Sequence, residues 1–251
     1  MGARPFTFFS CLHGCQRQPV IFPMAEIRTT FRDQTLFLHM GSPGTLDEAL
    51  FVSAIEILNE AERDPDTLSL VLSDEGYFGS QPLPVGERST QQRLDRWLEQ
   101  FHAFLETLMT FPKPVVASLC GDLGELGLAT ACNCDGWVVT GHTRIRLRHI
   151  AMGRTPMGAL SWHLSRMLPA PAVLRVLAGD AIEAAMLSQW GLCGRPVERE
   201  QRMEATLRVA ATYNRLPPGA LQATKTLLRE EEGSAYHAAL LQEARLLVRS
   251  L

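Results

Sequence analysis

The 251 residues hold no apolar run of transmembrane length and no cluster of Lys and Arg dense enough to mark a nucleic-acid or membrane surface. With 24 basic against 27 acidic residues the net charge is −3, which gives no electrostatic footprint for a polyanion. Cysteine is scarce as well: six are scattered along the chain, without the spacing of a disulfide framework. Cys132 and Cys134 stand two apart on a predicted helix, so they face different ways and cannot share a metal. These absences predict a reduced, cytoplasmic protein with no nucleic-acid partner, no membrane contact and no bound metal. What is present is ordinary globular composition, 46% hydrophobic and 20% charged, enough for one large α/β domain or two small ones. Residues 1–23 lack a convincing signal peptide, and Phe6 stands where myristoylation requires Ser or Thr. They are expected to form a flexible extension.

Along the chain, alternation of Ile27, Thr29 and Phe31, then of Leu36, Leu38 and Met40, predicts a hairpin about Asp33 and Gln34. A helix follows from a Thr45 cap to about Arg63, then a strand over Leu68–Ser73; this alternation predicts βαβ units and a parallel sheet. Residues 91–110 carry a helical stripe of Leu94, Trp97, Leu98, Phe101, Phe104, Leu105 and Leu108. A strand is expected over Arg144–His149, and helices over 198–215, 217–231 and 234–251. The last of these repeats Ala238, Leu241, Ala244, Leu247 and Val248, a stripe that predicts self-association.

The stretch from Lys113 to Asp135, KPVVASLCGDLGELGLATACNCD, organises the rest. Val115–Leu119 reads as a buried strand, Gly121–Gly124 as a turn in which Asp122 is a turn residue, and the small residues from Gly124 as a helix ended by Asp135. The unpaired amides at such a helix start favour an anion or a developing oxyanion.

KPVVASLCG, the glycine turn and the ACNCD ending resemble the central segment of the crotonase (enoyl-CoA hydratase/isomerase) superfamily. A second block, LRVLAGDAIEAAMLSQWGLCGRPVE from Leu174 to Glu198, is similar to the family's downstream block. The resemblance implies an α/β fold, a ββα-repeat spiral core over 24–198, and a C-terminal helical region over 199–251 that serves oligomerisation into trimers or hexamers. It implies an acyl thioester substrate on coenzyme A or an acyl carrier protein, with the phosphopantetheine part of the substrate and no tightly bound cofactor. The oxyanion donor falls on Leu126, with Gly127 beside it. In YFGSQPL, residues 77–83, the second donor falls on Pro82, which has no N–H, or, shifted, on Ser80. The two hydratase glutamates fall on Ala129, which cannot move a proton, and on His149, which can. Arg146 and Arg148 leave open that His149 sits on a surface strand edge. Glu125 stands at the first glycine of the family's turn, as a replacement acid or base or as a first-turn glutamate held by the helix dipole. Lys225 falls near the nucleotide end of coenzyme A, and His163 reads as a packed or surface histidine. Thr155–Ala159 is near the TPGMGA loop of crotonase-like decarboxylases of polyketide β-branching. The expected activity is therefore enolate chemistry, whether isomerisation, decarboxylation or dehydration in specialised metabolism. The alternative is an inactive thioester-binding or partner subunit.

Overall fold

The computed structural model describes residues 27–41, 48–75, 79, 88–229 and 233–250. The N-terminal extension, the Thr45 cap and the 77–83 loop with Ser80 and Pro82, Gly79 apart, lie outside the described residues. Strands β1 (Ile27–Arg32) and β2 (Thr35–Gly41) pair antiparallel with Phe31 opposite Leu36. Asp33 (φ 50°) and Gln34 (φ 61°) both take left-handed backbone, as a two-residue hairpin turn of matching twist requires. Helix α1 (Ala49–Arg63) leads to β3 (Ser69–Glu75), and α2 (Arg88–Thr110) to β4 (Val115–Leu119). The short β5 (Asp122–Leu123) and helix α3 (Glu125–Cys132) precede β6 (Gly136–Val139). The main sheet runs β1-β2-β3-β4-β6 and is parallel from β2 onward.

Period-two alternation sends the two sides of these strands into separate cores. Leu38, Leu70, Leu72 and Ala117 join α1 and α2 on one side, where Phe51 lies 5.2 Å from Phe101 and 5.7 Å from Phe104 between ring centres. The whole predicted α2 stripe is buried there. Phe37, Val71, Val116 and Val138 face the other way and are covered by Ala205 and Leu207 of α7 (Arg202–Asn214). Polar pins fix α7 to the sheet: Arg202 donates to the Ser118 carbonyl at 2.8 Å and the Thr206 hydroxyl to that of Ser118 at 3.0 Å.

A second sheet, β5 with β7 (Arg144–Ile145) and β8 (Ile182–Glu183), sits at the end of β4 and carries the site. Asp122 is therefore a strand residue paired with Arg144, rather than a turn residue. The strand expected over Arg144–His149 stops at Ile145, and the chain bends into a 3₁₀ turn at Ile150–Met152. Helices α4 (Leu160–Met167), α5 (Ala170–Leu177), α6 (Ala184–Gln189) and α8 (Pro218–Arg229) complete the chain up to α9 (Gly233–Arg249).

Helix α9 packs on its own chain with Tyr236, Leu240, Glu243 and Leu247 inward, while Ala238 is exposed and Leu241 is 41% exposed. The inward face is thus rotated from the predicted stripe. Glu243 sets the rotation: its carboxylate accepts the Ser161 amide at 2.8 Å and the Ser161 hydroxyl, capping the start of α4. Among the described residues no helix is long and apolar enough to cross a membrane.

Candidate active site at the start of α3

Pairing of β5 with β7 brings the start of α3 beside residues 146–149. The Arg146 amide donates to the Leu123 carbonyl at 2.9 Å, which places the following residues against the first turn of the helix. In that turn the Leu128 amide closes on the Gly124 carbonyl at 2.9 Å. The amides of Glu125, Leu126 and Gly127 precede that closing bond and are the ones a helix start leaves without an intrahelical acceptor. Gly124 is extended (φ −87°, ψ −171°), so the chain enters the helix at a sharp angle.

Glu125 is 5% exposed, and one of its carboxylate oxygens accepts two consecutive amides, Arg148 at 2.5 Å and His149 at 2.8 Å. The carboxylate thus holds the backbone that carries the imidazole, a use that neither sequence-based alternative anticipates. His149 is not on a strand edge. It is 4% exposed at the head of the 3₁₀ turn, and its Nδ1 lies 3.1 Å from the Thr155 carbonyl. A carbonyl only accepts, so Nδ1 carries the hydrogen and Nε2 keeps the lone pair. Among the described residues Nε2 has no hydrogen-bond partner. Burial lowers the pKa of the imidazole, against the opposing pull of Glu125 and the Thr155 carbonyl, so the neutral base is the form present near neutrality.

Ala129, where the resemblance puts a glutamate, is fully buried. Gly158 closes on it with φ +70°: a Cβ there would lie 2.6 Å from the Ala129 Cβ and 3.1 Å from Phe101. Ala129 is thus packed close against the Gly158 backbone, beside Phe101 and Leu105. Lys225 does not face outward for a nucleotide. It is buried beneath α8, with its ammonium 2.5 Å from Asp135 and 2.8 Å from the Lys113 carbonyl. Burial pushes the thiols of Cys132 and Cys134 far up, so neither is a nucleophile near neutrality. His163 is packed, 5.3 Å from the Tyr236 ring, and burial pushes its pKa down to about 3. Among the described residues no group of three His, Cys, Asp or Glu side chains could hold a metal.

Two groups at the site were missed by sequence reasoning. Arg154 is 7% exposed, and Thr155, whose carbonyl orients the imidazole, has its hydroxyl buried without a partner. Their only signal in the sequence is adjacency within the GRTPMG loop.

A five-stranded, mainly parallel sheet and a small second sheet that runs into the start of α3 are the elements of a crotonase-type fold. The chain belongs to the enoyl-CoA hydratase/isomerase family, whose profile matches residues 38–250. It is 27% identical over 230 residues to the 2,3-dehydroadipyl-CoA hydratase of Escherichia coli, covering 89% of each chain. Among solved structures, an enoyl-CoA hydratase from Polaromonas is 26% identical with TM-score 0.70, over 86% of this chain and 89% of that one. An enoyl-CoA hydratase from Bacillus halodurans, 19% identical, superimposes with TM-score 0.78 over 90% and 94% and bears on the fold alone.

Proposed function

We propose that this protein acts on an acyl thioester by proton transfer through an enolate, with the Leu126 amide as oxyanion donor and Nε2 of His149 as the base. The carrying observation is the tautomer: Nδ1 is committed to the Thr155 carbonyl, which leaves a neutral Nε2 lone pair on a backbone segment clamped by Glu125 to the helix start that bears Leu126. Removal of a proton from the carbon next to a thioester places negative charge on the carbonyl oxygen. A helix-start amide stabilises that charge.

Hydration by two carboxylates needs a second proton-handling group where Ala129 is packed, so isomerisation, in which one group moves a proton between two carbons, fits these residues better. Membership of the family and the hydratase relatives support coenzyme A as the thiol carrier.

The test is exchange of the α-hydrogens of acyl-CoA thioesters in deuterated water, followed by mass spectrometry, because it reads enolate formation whatever the final product. His149→Ala is expected to slow exchange by about 100-fold or more while thioester affinity is unchanged. Equal exchange in that variant rejects the assignment of His149. No exchange by the wild type across saturated and unsaturated thioesters favours a subunit that binds without turnover.

A further inference from the structure

Glu125 is an acidic residue turned inward, 5% exposed, at the head of α3. Its Oε1 accepts the Arg148 amide at 2.5 Å and the His149 amide at 2.8 Å. An amide only donates, so an oxygen that takes two of them is committed to the backbone and holds no hydrogen of its own. A group that moves a proton must instead reach the substrate with a free lone pair or hydrogen.

When Nε2 of His149 takes a proton, the ring becomes a cation in a place only 4% exposed. Burial disfavours that charged form. Of the charged side chains that act on the ring, Glu125 from α3 favours protonation, and Arg154, beyond the 3₁₀ turn, opposes it. Arg148, whose amide shares the carboxylate, is exposed, so water screens its charge. The Thr155 carbonyl, bonded at Nδ1, favours the protonated ring as a fixed dipole. Among these groups Glu125 alone is acidic.

We infer that Glu125 is the positioning residue of the base: its hydrogen bonds fix the backbone of His149, and its charge offsets the imidazolium formed during the reaction. The inference rests on the thioester reading above and adds the counter-charge to it. In the step concerned the α-carbon's C–H bond breaks, its proton goes to Nε2, and its electron pair moves to the carbonyl oxygen of the thioester. The proton later returns from Nε2 to carbon. Glu125 exchanges no proton at any point. An acid placed to stabilise a neighbouring imidazolium has this effect without becoming protonated itself.

The test titrates the ring signals of His149 by NMR in the full chain, wild type against Glu125→Gln, alongside the pH profile of α-hydrogen exchange. Glutamine keeps an oxygen for the two amides and removes the charge. Its imidazole midpoint is expected to fall, the acid limb of exchange to move to lower pH with it, and the plateau rate to drop by about three- to tenfold. Glu125→Ala, which also frees the backbone, should lose about 100-fold. Adding Glu125→Gln to His149→Ala should cost nothing further. An unmoved midpoint in Glu125→Gln overturns the inference, as does a loss of exchange in that variant as deep as in His149→Ala, which would make Glu125 a proton carrier. In the wild type itself, the Glu125 carboxyl carbon should show an inflection at the imidazole midpoint, and its absence overturns the inference even where no variant folds. The titrations need no thioester. Absence of exchange in the wild type rejects the enolate reading and the role of Glu125 with it, whereas an unmoved midpoint in a protein that does exchange rejects the role alone.

Discussion

At the scale of single residues, Gly158 stands so close to Ala129 that it leaves no room for a side chain. Gly158→Ala both strains a left-handed backbone and drives one methyl into another, so unfolding in urea should show a loss of about 3 kcal/mol. The double variant with Ala129→Gly removes the methyl clash and should recover part of that loss. His163 gives a second reading at this scale. Its folded pKa is about 3 against 6.5 for a free imidazole, so between those values the unfolded chain binds a proton that the folded chain refuses. Its contribution is complete above about pH 6.5 and shrinks as pH falls below that. His163→Phe should therefore lose less melting temperature than wild type between about pH 7 and pH 4; parallel curves would remove His163 from the acid response. The sequence singled out His149, because only its alignment with a glutamate was needed. The partners Glu125 and Thr155 were not legible, since both hold it through backbone atoms that sequence does not distinguish.

At the scale of elements, Asp135 joins three parts of the fold: its own connection between α3 and β6, strand β4 and helix α8. Its amide donates to the Val115 carbonyl at 2.7 Å, and its carboxylate accepts Val115 N–H at 2.8 Å, Lys225 at 2.5 Å and Arg229 at 2.9 Å. Side-chain exposures of 17% for Asp135, 9% for Lys225 and 22% for Arg229 put this network largely out of water. Asp135→Asn keeps the shape and removes the charge, leaving two half-buried cations unanswered; the expected cost is about 3 kcal/mol in chemical unfolding. A loss below about 0.5 kcal/mol would mean that water already screens the cluster. Sequence placed Asp135 just past the end of α3, where it stands, but its pairing with Lys225, 90 residues on, was not legible. The same limit explains the strand that stops at Ile145, where the amides of Arg148 and His149 turn to a carboxylate instead of continuing the ladder. Hydrophobic period, which acts locally, did reveal the hairpin, the parallel strands and the whole buried stripe of α2.

On the level of the entire molecule, the five-stranded sheet has two faces, and the chain builds them at very different times. The strands are finished by Val139, and α1 and α2 cover one face early. The other face, Phe37, Val71, Val116 and Val138, waits for α7 at 202–214. During synthesis from the N-terminus, a completed set of strands therefore leaves the ribosome with one greasy side uncovered while some sixty further residues are added. A message broken in that interval yields a chain that already contains Leu126 and His149, yet exposes the aliphatic surface that recruits chaperones or seeds aggregates.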